Sequence, residues 1–274
     1  SLQKYTHFQF QKYSTLLLLT TINDLICMLS DAAIILRSVP TPIITAHVWH
    51  GACSVVSKRF CYAIFSIYLH TFTNSIALMV VSFWYRLAAL SHARTPSPHK
   101  IGIIIAVLYI PSAFQMVTMP LSALHDAEVK AALSQYFPNL DYANGSITGN
   151  PARGNIFADF AVYYPMIMPI PSYVYILIVR FKILRVLRRA GSQISERTKE
   201  LHMQLVRTLT YHACLPIFTL IADVIFTMLL MDVYRHPLME NFVFFFASVP
   251  SCLSPLLTLA LIRPYRSLVL HFYQ

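Results

Sequence analysis

Six long apolar stretches divide the chain, and they restrict its fold more than any other feature. A helix needs about 20 mostly apolar residues to cross the hydrocarbon core of a bilayer, and each stretch has about that length. In lipid only helices or closed barrels satisfy every backbone polar group, and no strand-like alternation competes with the apolar runs. The sequence therefore predicts an all-α fold, a polytopic bundle of transmembrane helices. The predicted spans are 14–36, 61–83, 101–119, 160–181, 208–231 and 241–262.

Composition argues against a soluble fold. Charged residues make up only 12% of the chain and hydrophobic residues 57%, whereas a soluble domain carries about 25% charged residues. The net charge of +10 could attract nucleic acid. Most of the positive residues border the spans on one side, however, so the charge reflects membrane topology and we expect no nucleic-acid partner. We expect one transmembrane domain over residues 1–274.

The distribution of Lys and Arg predicts the orientation, because both are enriched in cytoplasmic loops. Fifteen of the 21 lie on one side of the spans, together with both ends of the chain and the inner loop 182–207, and six lie on the other. We therefore expect the first side to be cytoplasmic and the long loop 120–159 to be outside. That loop contains an N-glycosylation acceptor at Asn144, in Asn-Gly-Ser.

Polar residues inside the spans are costly in lipid and mark either structural networks or functional sites. Asp24 lies near the middle of span 14–36, on the same face as Thr20 and Cys27. Two interpretations stay open. Asp24 makes an interhelical hydrogen bond, for example to Ser251 or Ser254, or it belongs to a polar network that switches on activation.

A second group of polar and aromatic residues suggests a small-ligand pocket in the outer half of the bundle. Such sites combine aromatic and apolar walls with a few polar groups. Asp223 lies above Pro216, whose ring kinks a helix and suits it to act as a lever. The alternatives are a static kink and plain packing of the aromatic residues. The pocket residues proposed from the sequence are Tyr62, Ser66, His70, Tyr163, Tyr164, Asp223 and Phe244.

The segment 180–200 continues the fourth span as a basic amphipathic extension on the cytoplasmic side. Arg185, Arg188 and Arg189 lie between apolar residues at helical spacing. Cytoplasmic clusters of this kind bind the anionic headgroups of the inner leaflet.

Enzymatic features are scarce. His47, His50 and Cys53 are spaced three apart in an outer loop and could form a zinc triplet, but isolated triplets arise by chance. The chain has no nucleophile elbow, phosphate loop or metalloprotease motif. We expect no enzymatic activity, no metal and no cofactor.

Three motifs, in this order and at these separations, resemble those of a known family. They are LLLLTTINDLI (16–26), SFWYRLAAL (82–90) and SPLLTLALIRPYR (254–266). The chain resembles nematode serpentine chemoreceptors, most of all serpentine receptor class delta, within the seven-helix G-protein-coupled receptors. The six spans would correspond to family helices two to seven. The resemblance implies a small-molecule or volatile ligand, a heterotrimeric G protein partner and a location in the plasma membrane of a sensory cilium.

The resemblance also assigns roles to particular residues. Asp24 matches the acid of helix two that anchors a water or sodium network. Tyr85 and Arg86 end helix three where the G protein inserts, and Pro264, Tyr265 and Arg266 end helix seven. Arg86 and Arg266 could instead only anchor the helices by reaching the lipid phosphates.

The chain departs from the pattern of related receptors in three respects. The first helix is absent, so we expect an upstream span. Loop 120–159 has no cysteine, so the usual disulfide from helix three to that loop cannot form. Tyr85 replaces the acid that precedes the helix-three arginine. The alternatives to a receptor are a six-helix transporter or channel component, or an inactive truncated receptor.

Overall fold

The structure is a computed structural model, and it describes residues 2–91, 96–137, 146–190, 208 and 210–261. Within these ranges it describes the side chains of 15–90, 96–137, 146–186, 188, 208 and 210–260. The long helices are α1 (Leu2–Ile34), α3 (Lys58–Ser91), α4 (Pro98–Leu121), α6 (Ile156–Ile167), α7 (Pro169–Ala190), α8 (Pro216–Leu230) and α9 (Pro237–Leu261). The connections hold β1 (Leu36–Pro40), β2 (Ile44–Trp49), α2 (Cys53–Val56), α5 (Asp126–Tyr136) and β3 (Ser146–Pro151).

The helical fold and its membrane spans agree with the sequence prediction. In the described part of the chain, six helical segments are long and apolar enough to cross a bilayer, and each overlaps one predicted span. The segments are Thr15–Ile34, Lys58–Leu90, Pro98–Leu121, Ile156–Val186, Thr210–Leu230 and Pro237–Ala260. The longest, in α3, is also the most buried, because it packs against α1, α4 and α7.

Two of the spans are interrupted at proline. The fourth span breaks at Met168, where α6 ends and Pro169 begins α7. The fifth breaks at Leu215, immediately before Pro216, with short-range bonds from Leu215 to His212 and from Phe218 to Leu215. Proline cannot donate the backbone hydrogen bond that a continuous helix requires. The kink predicted at Pro216 is therefore present as a break in the helix.

A three-stranded antiparallel sheet covers one end of the bundle, and the sequence analysis did not predict it. Its strand order is β1-β2-β3, with Ser38 opposite His47 and His47 opposite Thr148. All six residues of β2 are buried, although they alternate between apolar and polar types. The sheet is assembled from two loops that lie far apart in sequence, so no single segment carries a strong signal for it. We call this end of the bundle the sheet end.

The two faces of the sheet pack against different partners, because successive side chains on a strand point to opposite faces. Ala46 and Val48 face α5, where they form a small separate core with Val129 and Leu133. Trp49 faces the helices and joins their main core. The sheet thus lies between α5 and the helical bundle. Because it covers this end of the bundle, we call the three-stranded sheet the cap.

A disulfide between Cys53 and Cys61 joins the loop after β2 to the first turns of α3. Helix α3 is thus tethered to the loop before it rather than to the loop after it. The bond also removes the sulfur ligand of the possible zinc triplet, because Cys53 is no longer a free thiol.

We expect the double substitution Cys53→Ser and Cys61→Ser to lower the free energy of unfolding. The bond closes a loop with a sequence separation of 8, and the chain entropy released on opening such a loop corresponds to about 2–3 kcal/mol. Unfolding in mixed micelles with increasing SDS measures the change. Cys214→Ser is the matched control, since Cys214 is an exposed free cysteine. Equal stabilities of the double variant and the control would contradict the prediction.

Candidate ligand site and polar cleft

An aromatic cluster fills the sheet end of the bundle beneath the cap. Phe65 of α3 stacks on Tyr68 with ring centroids 6.3 Å apart, and Phe244 of α9 lies 6.1 Å from Phe65 and 6.0 Å from Tyr68. Trp49 of β2 closes the cluster from above, 5.5 Å from Phe65 and 6.2 Å from Tyr62. Edge-on and offset rings at these separations are stabilising. The cluster therefore couples the cap to helices α3 and α9.

The structure brings only part of the proposed pocket together. Tyr62 and Phe244 border the aromatic cluster, and the hydroxyl of Ser66 donates to the carbonyl of Tyr62. His70 instead lies toward α4, with its Nε2 3.1 Å from the Asn74 side chain and its ring 5.8 Å from that of Tyr109.

The remaining three pocket residues lie on α6 and α8. Tyr164 stacks on Phe160 of its own helix, at 5.1 Å, and Tyr163 is half-buried beside it. Asp223 is partly buried, and its backbone carbonyl accepts from Thr227. The seven predicted residues thus lie at several places along α3, α6, α8 and α9.

A polar network surrounds Asp24 in the middle of the bundle. The hydroxyl of Ser75 donates to Oδ1 of Asp24 over 2.6 Å, and Ser75 also accepts from Asn23 over 2.8 Å. Ser251 reaches Ser75 over 3.5 Å, and Ser254 lines the same cleft as Asp24. The network joins α1, α3 and α9, so the predicted neighbours of Asp24 do lie around it.

This network forms one wall of a cleft that runs away from the sheet end. Phe72, Met79 and Ser82 continue the cleft along α3 to Arg86, which faces His212 across it. Arg86 is only 7% exposed, so its side chain is directed into the bundle and not toward lipid phosphates. His212 bonds through Nδ1 to the carbonyl of Thr208 over 2.8 Å. The cleft thus connects Asp24 with Arg86 inside the bundle.

The other described residues predicted on the cytoplasmic side, Tyr85, Arg185 and Arg188, lie at the end of the bundle opposite the cap. Tyr85 is buried among apolar residues of α1, α3 and α4. Arg185 is exposed, with its guanidinium 4.7 Å from the ring centroid of Phe181, and Arg188 is exposed as well. Arg189 belongs to α7, but its side chain lies outside the described residues, as do all of Asn144, Pro264, Tyr265 and Arg266.

The sequence analysis did not predict the contacts that hold the cap. Tyr62 donates its hydroxyl to Oδ1 of Asn150 on β3, and Trp49 donates to Thr148 over 3.0 Å. Arg37 on β1 forms an ion pair with Glu240 at the start of α9, with 2.6 Å between Nε and Oε2. An Arg and a Glu in separate outer loops carry no pairing signal in one sequence, so only the fold could reveal this contact.

Replacing Arg37 with methionine is expected to destabilise the protein by about 2–3 kcal/mol, because it leaves the carboxylate of Glu240 buried without its partner. Glu240 is 3% exposed, whereas Arg37 retains some contact with solvent, which moderates the loss. Adding Glu240→Gln to the same chain should restore most of the stability. SDS unfolding of the two single variants and the double variant measures the coupling, and strictly additive effects would contradict it.

Six spans and an internal polar cleft that ends at a buried arginine define a polytopic helical membrane protein. The model of the family described as serpentine type 7TM GPCR chemoreceptor Srd matches residues 4–271. The chain belongs to this family, and the resemblance seen in its motifs is confirmed.

Individual relatives agree with this assignment. The chain is 29% identical to serpentine receptor class delta-18 of Caenorhabditis elegans over 268 residues, which cover 96% of this chain and 79% of the relative. It is 30% identical to serpentine receptor class delta-3 of the same organism over 264 residues, with 94% and 76% covered.

Proposed function

We propose that the protein is a chemosensory receptor that binds a small extracellular ligand at its sheet end and activates a heterotrimeric G protein at the opposite end. The observation that carries the proposal is the family match over nearly the whole chain. Membership in a family of G-protein-coupled receptors supports ligand binding and G-protein coupling in general. The finer assignments below are proposals about this chain.

The sheet end is assigned to the outside for two independent reasons. The excess of Lys and Arg lies at the other end, as expected for cytoplasmic loops. The disulfide Cys53–Cys61 lies at the sheet end, and disulfides persist in extracellular rather than cytosolic surroundings. In this orientation both ends of the chain are cytoplasmic, and the protein resides in the plasma membrane, with the cilium of a sensory neuron as the proposed site.

The proposed signal runs from the aromatic cluster to Arg86 through the cleft. Phe72 belongs to the main hydrophobic core, together with the aromatic cluster, and it also lines the cleft that contains Asp24. The break at Leu215–Pro216 allows the cytoplasmic part of the fifth span to move relative to α8. A ligand that alters the packing of the cluster could thereby change the position of His212 relative to Arg86.

Partners on the inner face follow from the exposed charges. Arg185 and Arg188 extend from α7 where anionic headgroups of the inner leaflet would lie. We propose that the same surface, with Arg189 and the segment Pro264–Tyr265–Arg266, contacts the G protein. Tyr85 and Arg86, which are buried in the structure, lie near the end of α3 where the G protein would insert.

Two measurements on cells that express the full chain test this function. A tag after Ser134 on the exposed side of α5 should be accessible to antibody without permeabilisation, and a tag at the C-terminus only after it. Compounds applied outside should then trigger dissociation of a co-expressed heterotrimeric G protein. The reverse accessibility, or an ion current with no effect on the G protein, would refute the receptor function.

A further inference from the structure

The underside of the cap carries buried polar groups that no described residue satisfies. Ser38 on β1 is 0% exposed and His47 on β2 is 3% exposed, and the two lie directly opposite each other in the sheet. Within the described ranges, the hydroxyl of Ser38 and both ring nitrogens of His47 lack a hydrogen-bonding partner. Buried polar groups in native proteins are nearly always bonded, so three orphan atoms at one place require an explanation.

The side chain of Asn150 lies beside the ring of His47, but its own polar atoms are already engaged. Asn150 accepts from Tyr62 through Oδ1 and donates through Nδ2 to Ser122 over 2.7 Å and to Met119 over 3.3 Å. Burial lowers the pKa of His47 to about 4, so the imidazole is neutral at physiological pH and offers one donor and one acceptor.

Aromatic rings surround the same position from the helix side. The ring of His47 lies 5.0 Å from Phe65, 6.3 Å from Tyr62 and 5.8 Å from Trp49. These residues belong to the aromatic cluster that continues to Tyr68 and Phe244. The orphan ring nitrogens of His47 therefore lie among aromatic walls, and Ser38 is its direct partner across the sheet. Aromatic walls with a few polar groups are the composition of a small-molecule site.

We infer that Ser38 and His47 form the hydrogen-bonding roof of the ligand site, and that the ligand is a small uncharged molecule with an aromatic or apolar body and one polar group. This inference rests on the proposed receptor function. The charges at the roof argue against an ionic ligand, because Arg37 and Glu240 are paired with each other and neutral His47 offers no counter-charge. An unpaired ion would be too costly to bury there. Asp31 of α1 is a carboxylate close to Tyr68, so benzylammonium tests directly whether that charge, rather than the roof, selects the ligand.

The chain offers its own reporter for a test. It contains two tryptophans, Trp49 beside His47 and Trp84 on α3 in the apolar cluster around Leu16 and Tyr85. In the full chain carrying Trp84→Phe and held in lipid nanodiscs, emission therefore reports on Trp49 alone. The probes are 4-methylphenol, toluene, benzylammonium and benzoate, which share a ring and differ in charge and hydrogen bonding.

We expect a saturable change of Trp49 emission with 4-methylphenol and at least tenfold weaker binding of the two ions. His47→Phe should weaken 4-methylphenol about three- to tenfold, the range of one neutral hydrogen bond, and leave toluene unaffected or improved. Ser38→Ala should also weaken the binding of 4-methylphenol without weakening that of toluene. His47→Gln should retain most of the affinity for 4-methylphenol. Ser134→Ala, which removes an exposed hydroxyl from α5, is the control without effect.

Several results would overturn the inference. One is the absence of any change in Trp49 emission with any probe up to its solubility limit. Buried water would then be the hydrogen-bonding partner of Ser38 and His47. Another is equal loss of toluene and 4-methylphenol in His47→Phe, and a third is preference for an ion. If His47→Phe misfolds, the nearly isosteric Ser38→Ala decides. Failure of the receptor function is distinct, because it would appear as probe binding at Trp49 without G-protein activation by any compound.

Discussion

If the proposed receptor function is correct, we expect the Arg86→Ala variant to reach the cell surface at the wild-type level and to fail to activate the G protein. Arg86 is buried at the inner end of the cleft, beside His212 and below the network of Asp24. Alanine removes the only positive charge that the described residues place in this cleft, so movements of the helices no longer reposition a cation at the inner face. We expect evoked signalling to fall to background while the helices, held by their apolar contacts, still assemble.

The measurement is G-protein dissociation evoked by any compound that activates the wild-type chain, normalised to surface expression. Arg59→Ala is the matched control, because Arg59 is exposed and lies at the opposite end of the same helix, α3. It should keep most of the signal. Arg86→Lys should fall between the two, since lysine retains the charge but not the planar guanidinium. Normal coupling of Arg86→Ala would exclude this residue from the mechanism.

The Gly51→Ala variant loses more than about 4 kcal/mol of stability, the largest structural effect that we expect. Gly51 follows β2 where the chain crosses the end of α1, and its backbone N–H donates to Ile34 over 3.0 Å. A β-carbon at this position would lie 2.2 Å from the carbonyl oxygen of Ala33 and 2.6 Å from the carbonyl carbon of Ile34. Both atoms belong to the backbone, so relief requires displacing either α1 or the cap.

The control for this substitution is Gly102→Ala. Gly102 lies in helix α4, and an added β-carbon there would meet no atom within 4 Å. Alanine favours helix over glycine by about 0.5–1 kcal/mol, so this variant should be as stable as the wild type or more so. SDS unfolding and the yield of folded protein compare the two variants. Equal stability of Gly51→Ala and Gly102→Ala would show that the close approach at Gly51 is wrong.

The cap shows why the sequence analysis predicted only part of the candidate site. Tyr62 and Phe244 could be proposed because aromatic residues at helical spacing mark the inner faces of spans. His47 was considered only as a metal ligand, since its position in an outer loop gave no sign that a strand would turn it toward Phe65. The pairing of Ser38 with His47 and of Arg37 with Glu240 depends on strand register and on the packing of β1 against α9. Neither is encoded in a local pattern.

The position of Arg86 illustrates the same limit at the other end. The sequence places it at the end of an apolar run, where lipid anchoring and an internal role are equally compatible with its neighbours. The orientation of α3 about its own axis determines whether Arg86 points toward lipid or into the bundle. That orientation is set by the packing of α3 against α1, α4 and α7.

The length of the apolar stretches and the scarcity of charge were by themselves enough to determine the membrane class, the six spans and the helical fold. The reason is that the free energy of transferring a segment into lipid is a sum of contributions from its own residues. The motifs added the receptor family. Only the tertiary structure decided which polar atoms are buried together: the cap from two distant loops, the disulfide Cys53–Cys61, the orphan groups of Ser38 and His47, and the inward side chain of Arg86. These depend on contacts between segments far apart in sequence, where geometry and not composition determines which atoms meet.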